Sequence, residues 1–393
     1  MKAKLLAAAL IVVTVGVVAF YPMLDSRATG PLPQPQPAPA AQKIEAVFVL
    51  DTTSSMTGLI ETAKEKIWSI ATTLAQAEQT PAIEIGLVAY RDRGDAYVTQ
   101  VIDLSTDLDT MYGQLMQFAA VGGGDTPESV NRALADAVHR ISWSQDPQSY
   151  RVIFLVGDAP PHDYPGETHY RDIVASAVAK GIVVNTIQCG DMPQTIAPWT
   201  EIARLGHGRY LRVSQAGDAF AVATPYDDEI AQLSAELDRT RLFYGNDDEM
   251  RRLNAKIAAT ERLEAEASIP SRARRAAFNA TEAGHKNLFG DNDLVEDIAA
   301  GEVSLDNVPA EELPASLRAL AREEQERLIG ELASRRETLK QQIESLTGAR
   351  SAFIDERVDA ADGAAGSLDR QLYDVVREQA APVGLTFDAG PEF

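Results

Sequence analysis

Between Ile44 and Val213 short apolar runs alternate with amphipathic segments, and this alternation constrains the fold more than any other feature. IEAVFVL (44–50), AIEIGLVAY (82–90), RVIFLVG (151–157) and IVVNTIQC (182–189) are of strand length and apolar almost throughout, as strands buried on both faces require. Between them, MTGLIETAKEKIWSIATTLAQA (56–77) places Met56, Leu59, Ile60, Ala63, Ile67, Ile70 and Leu74 on one helical face. DLDTMYGQLMQFA, PESVNRALADAVHRI (with Pro127 near its start), YRDIVASAVAKG (stopping at Gly181) and QTIAPWTEIARLG also read as helices. YVTQVIDL (97–104) predicts a strand joined to the preceding one by a hairpin through RDRGD, and GRYLRV predicts a last strand. Strands alternating with helices predict an α/β domain: a doubly wound, mostly parallel sheet covered on both faces. Ligands of such sheets sit at the carboxyl ends of the strands.

The flanks differ from this core. MKAKLLAAALIVVTVGVVAF has Lys2 and Lys4 and then an uncharged run from Leu5 to Phe20, the layout of an export signal. Residues 1–25 are therefore expected to be a signal peptide or an uncleaved inner-membrane anchor acting through residues 5–20, with the bulk of the chain exported, periplasmic or membrane-anchored outside the cytoplasm. Residues 26–42, SRATGPLPQPQPAPAAQ from Ser26, form a Pro-rich linker with a bias to extended polyproline conformation. The α/β domain is expected over 43–215 and an α-helical region over 226–393. There, DDEIAQLSAELDRTRLF puts Ile230, Leu233 and Leu237 on one face, and a long helix is expected from Pro314 to about Arg357. Leu332, Leu339, Leu346 and Phe353 fall seven apart, a partly coiled-coil-like seam that Arg335, Arg336 and Gln342 interrupt. Such a seam serves a helical hairpin within the chain or self-association of the chain.

A net charge of -22 excludes a nucleic-acid partner, which needs a basic face, and favours metal ions or cationic partners. The single cysteine, Cys189, rules out an intramolecular disulfide and reads as a buried thiol at a strand end.

Three loops at strand ends carry the candidate chemistry. The first offers Asp51, Thr53 and Ser55; the second, GGGDTPES, offers Asp125 and Thr126; the third offers Asp158 after Gly157. All are hard oxygen donors, and the absence of His and Cys from these positions argues against zinc. Mg2+, with Mn2+ or Ca2+ as alternatives, suits such a set. Hydroxyls are neutral, so a site with few carboxylates leaves the ion able to attract an anionic group.

Asp51-x-Thr53-x-Ser55 after a strand resembles the first motif of the metal-ion-dependent adhesion site (MIDAS) of von Willebrand factor A (VWA) domains. Thr126 is similar to the family's second-loop threonine and Asp158, in FLVGDAPP, to its third-loop aspartate. The wording VAYRDRGD…GGGDTPESVNRAL…VIFLVGDAPPH also resembles a bacterial, exported or membrane-anchored branch and the VWA part of some alpha-kinases, although no kinase core is visible. The resemblance implies that Thr53, Ser55 and Thr126 reach the ion through their hydroxyls, and that Asp51 and Asp158 bind it directly or through water. A protein partner's Asp or Glu would complete the site. The function implied is divalent-cation-dependent protein binding, in adhesion or assembly at the cell envelope, without enzymatic activity.

Two other readings compete. A haloacid-dehalogenase-like Mg-dependent phosphohydrolase also begins on an aspartate ending a buried strand, which would make Asp51 a nucleophile and give the metal to Asp158 and Asp163. It expects a second acid where this chain has Thr53, and leaves GGGDTPES unexplained. The other is a metal-independent envelope scaffold. His162, Asp163, Glu167 and His169 in PHDYPGETHY read as a polar rim of the cleft, with a second metal site as the alternative.

Overall fold

A computed structural model describes residues 43–75, 77–78, 81–124, 126–213, 223–360 and 368–387. The leader and linker expected over 1–42 lie outside these residues, as does Asp125. The first part of the chain runs β1 (Lys43–Asp51), α1 (Ile60–Ala75), β2 (Ala82–Tyr90), β3 (Thr99–Ser105), α2 (Leu108–Gln117), α3 (Val130–His139), β4 (Tyr150–Gly157), α4 (Tyr170–Ala179), β5 (Ile182–Cys189), α5 (Pro193–Leu205) and β6 (His207–Val213). The strands form one sheet in the order β3-β2-β1-β4-β5-β6. All pairs are parallel except β2 with β3, the expected hairpin. The chain builds outward from β1, then restarts beside it at β4 and builds the other way. The crevice at the carboxyl ends of β1 and β4 is therefore the topological switch point, where such sheets hold ligands.

Alternate residues of each strand feed two cores, as the pleat requires. Ile44, Ala46, Phe48 and Leu50 face α1 and α2; Val47 and Val49 face α3, α4 and α5. Two helix starts differ from expectation. The first helix begins at Ile60, because Gly58 takes φ +86° after a 3-10 turn at Ser54–Met56. The helix expected to open near Pro127 begins at Val130, with Ser129 at its N-cap. Residues before it are engaged elsewhere: Glu128 N donates to Pro160 O at 3.0 Å, and Glu128 bridges Pro161.

The remainder is helical: α6 (Asp227–Asp238), α7 (Asp247–Glu266), α8 (Ile269–Ala280), α9 (Glu282–Phe289), α10 (Leu294–Ala299), α11 (Ala315–Arg318), α12 (Arg322–Ala360) and α13 (Leu368–Ala380). The helix expected as one piece from Pro314 is broken into α11 and α12; the Gln325 side chain satisfies the Leu317 and Leu320 carbonyls at the break, at 2.9 and 3.3 Å. The seam is used within the chain. Leu339 and Ile343 are buried against Ile230, Leu237, Ala273 and Ala276, while Leu332 packs with Leu294, Leu305 and Leu317. Arg336, which seemed to interrupt it, is a buried anchor: it reaches Asp293 at 2.7 and 2.9 Å and lies over the Phe289 ring.

The helical region does not stand apart from the sheet. Arg275 of α8 donates to Asp109 of α2 at 2.6 and 2.7 Å and to Asp238 of α6 at 2.7 and 3.0 Å, all three buried. Further on, α13 returns to the sheet, where Leu372, Tyr373 and Val376 enter the same core as Phe48. Gln379 locks it there through Tyr150 at 2.8 Å and Asn185 at 2.8 and 3.0 Å.

Candidate metal centre

β1 stays paired to its last residue, with Asp51 opposite Tyr90 on β2, and so delivers the Asp51 side chain to the crevice. Asp51 Oδ1 accepts from Thr53 N at 2.8 Å and from Thr53 Oγ1 at 2.6 Å. Thr53 Oγ1 lies 3.0 Å from Ser55 Oγ, which donates to Asp158 Oδ1 at 3.0 Å. The 3-10 turn at Ser54–Met56, anchored by buried Met56, brings hydroxyls 53 and 55 to one side. Asp158 is held from behind by Thr195 Oγ1, which donates to its carbonyl at 2.7 Å. Two loops that are far apart in sequence thus meet in one hydrogen-bonded chain, Asp51–Thr53–Ser55–Asp158.

Gly157 permits that approach. A Cβ there would stand 2.8 Å from Asp51 Cβ, 3.0 Å from Asp51 Oδ2, and against the Tyr90 hydroxyl. Asp51 is fully buried, and its Oδ2 has no hydrogen-bond partner, nor has the Tyr90 hydroxyl. Burial, and then the negative charge of Asp158, push the Asp51 carboxyl up to about 7; burial also raises Asp158. Two carboxyls crowded out of water, one with an unsatisfied oxygen, form a place that a cation would stabilise. The donors are oxygens alone, and the set fits a hard divalent ion.

The Gly-rich loop closes over this chain. Ser54 N donates to Gly122 O at 2.9 Å, Val121 N donates to Thr52 O at 3.1 Å, and Gly123 N donates to the Asp95 carboxylate at 2.9 Å. Thr126 is exposed on this loop and takes no part in the four-residue chain; it lies between Gly123, beside Thr53, and Glu128, tied to Pro160. Thr52 is structural, donating through its hydroxyl to Tyr90 O at 2.9 Å.

Residues 45–224 match the family model for the von Willebrand factor A domain. This segment is a VWA domain. Among solved structures, proximal thread matrix protein 1 from the mussel byssus is 14% identical over 45% of this chain and 43% of its own, with a TM-score of 0.34. A von Willebrand factor type A protein from Catenulispora acidiphila is 19% identical over 45% of this chain and 40% of its own, with a TM-score of 0.35. The byssus protein is also known with a zinc-occupied MIDAS motif, at 14% identity over 45% and 43% of the two chains and a TM-score of 0.34. The chain thus spans less than half the length of these structures. No curated protein matches the sequence.

Around the VWA site stand residues that sequence reasoning passed over. Asp92 is buried and accepts from Ser129 Oγ and Tyr164 OH, both at 2.6 Å. Asp95, the last residue of RDRGD, holds the Gly-rich loop as described, while Arg93 lies over the Tyr164 ring. Glu128 is buried; burial first, then the charges of Asp51, Asp92, Asp158 and Asp95, push its carboxyl up to about 9. Its signal was an acid beside Thr126 in a loop already marked as important. In PHDYPGETHY, His162 stacks on Tyr164 and His169 lies 3.6 Å from Asp163. Among the described residues no three His, Cys, Asp or Glu side chains converge on one ion position, there or elsewhere. Cys189 is buried at the end of β5.

Proposed function

We propose that the VWA domain holds a divalent cation at Asp51, Thr53, Ser55, Thr126 and Asp158, and through it binds an acidic side chain of a protein partner. The observation that carries this reading is the Asp51 carboxylate, wholly buried with one oxygen tied to Thr53 and the other unpaired. An unsatisfied buried polar group costs about 1–3 kcal/mol, and more when charged, so the arrangement is unfavourable without a cation. The all-oxygen donor set favours Mg2+, with Mn2+ or Ca2+ as alternatives. When bound, the cation supplies a positive centre that a partner's carboxylate can complete. The chain's own residues do the rest. Thr53 and Ser55 hold the carboxylates at fixed spacing, Gly157 admits Asp51, and exposed Thr126 would supply a further hydroxyl.

Binding is favoured over hydrolysis because Thr53, bonded to Asp51 at 2.6 Å, stands where a phosphohydrolase of that kind places its second acid. The basic and apolar residues at 2–20 support an exported or membrane-anchored protein acting at the cell envelope. Among the described residues no helix is long and apolar enough to cross a membrane. The test is capture from an envelope extract by the full-length protein. Partners retained in Mg2+, released by EDTA and absent with Asp51→Ala are expected; retention that ignores both EDTA and the substitution overturns the reading.

A further inference from the structure

Glu128 lies in the Gly-rich second loop, two residues past Thr126, and one of its buried carboxylate oxygens has no partner. Its backbone is clamped against the loop that follows Asp158: its N–H donates to Pro160 O at 3.0 Å and its carbonyl accepts from His162 N at 2.7 Å. Its side chain is 2% exposed, and Oε2 has no hydrogen-bond partner. The other oxygen, Oε1, stands 3.4 Å from the point where a Cβ on Gly123 would sit, and Thr53 Cβ is 3.1 Å from that same point. Glu128 therefore reaches the ion-site side of the Gly-rich loop. The charges that bear on it most strongly, Asp51, Asp92, Asp158 and Asp95, are all negative. Asp92 and Asp95 are satisfied by Ser129, Tyr164 and Gly123; Glu128 Oε2 and Asp51 Oδ2 are not.

Both orphan oxygens are buried, and Glu128 reaches the point beside Thr53 that closes over Asp51. Glu128 does not converge with Asp51 and Asp158 on a single ion position. Mg2+ commonly keeps several of its waters, and those waters need acceptors. We propose that Glu128 is a positioning carboxylate of the ion site, which accepts hydrogen bonds from water on the cation and so tightens its retention. The proposal rests on the ion-site reading above.

The test uses full-length wild type, Glu128→Gln, Glu128→Asp and, as an exposed acid on the same rim, Asp163→Asn. Calorimetric titration with MgCl2 reads affinity; melting in EDTA and in MgCl2 reads stability. Loss of an outer-shell partner typically costs 10–100-fold in metal affinity, so Glu128→Gln is expected to bind Mg2+ about 10–100-fold more weakly, with Glu128→Asp between the two. Asp163→Asn is expected within about twofold of wild type. Glu128→Gln should melt no lower than wild type in EDTA, and lower than wild type in MgCl2. A merely structural glutamate would lower both melting points alike. The proposal is overturned if wild type binds Mg2+ and Glu128→Gln binds it within about twofold, or if Glu128→Gln loses its melting transition in EDTA. If wild type itself binds no Mg2+, the ion-site reading fails first and this proposal with it.

Discussion

Arg275→Ala is expected to be among the most damaging single substitutions outside the apolar cores. Arg275 sits between the sheet domain and the helical region, with two bonds to Asp109 on α2 and two to Asp238 on α6. Removing the guanidinium strands buried Asp109 and leaves Asp238 with Arg241 at 3.4 Å, and breaking a buried ion pair from one side costs about 3–5 kcal/mol. That is a large part of the 5–15 kcal/mol typical of a folded protein. The pair also has a pH signature. Burial alone would raise the Asp109 carboxyl, but the charge and hydrogen bonds of Arg275 outweigh it and hold the group well below its usual 3.8. A carboxyl depressed in the folded state contributes stability that is complete above the unfolded value. That stability drains away as pH falls through the folded value, so wild type should lose it below about pH 4. Urea unfolding from pH 7 down to pH 2, followed by far-UV dichroism and tryptophan fluorescence, measures both effects. Arg209→Ala, which breaks an exposed pair with Glu378, is the control and should change little. A loss below about 1 kcal/mol for Arg275→Ala at pH 7 would refute the claim that this triad fastens the helical region to the sheet.

Two further outcomes follow from packing. Gly157→Ala places a methyl group against Asp51 and the Tyr90 hydroxyl, and should cost about 1–3 kcal/mol by overpacking while displacing Asp51 and abolishing any stabilisation by Mg2+; a variant with wild-type stability and an unchanged Mg2+ response would contradict the crowded geometry. Ending the chain after residue 360 uncovers the sheet face that Leu372, Tyr373, Val376, Leu385 and Phe387 bury. At about 1.5–3 kcal/mol per buried side chain that loss rivals the whole stability, so the truncated protein should be insoluble or fail to show a cooperative melt.

Much of this was legible from residue patterns, and the reasons differ by element. β1, β2, β4 and β5 are apolar because both sheet faces are covered, so their runs stood out. The Asp51, Thr53, Ser55 and Asp158 set was legible because each residue follows a strand at the same end of a parallel sheet. The helix starts at Ile60 and Val130 were missed because Gly58 and the Pro160 and Pro161 contacts of Glu128 override local helix signals. That α13 completes the sheet was not legible, since an amphipathic helix declares an apolar face but not the surface it will meet. Arg336 read as an interruption for a similar reason: its partners Asp293 and Thr240 come from distant segments. Glu128 escaped notice because an acid near a helix start has an ordinary explanation. Only its burial and its unpaired oxygen set it apart.

The most direct test of the ion site is the melting temperature of the full-length protein in EDTA and across millimolar MgCl2, beside Asp51→Ala. A ligand that binds only the folded state at 100 times its dissociation constant adds about 2.7 kcal/mol. For a protein of this size, with about 2.1 cal/mol/K of unfolding entropy per residue, that is a rise of roughly 3–4 °C. The expected result is a rise that saturates with Mg2+, reverses in EDTA and is missing in Asp51→Ala. A wild-type melting temperature that stays constant from EDTA to about 10 mM MgCl2, where this stabilisation should be evident, would contradict the metal centre.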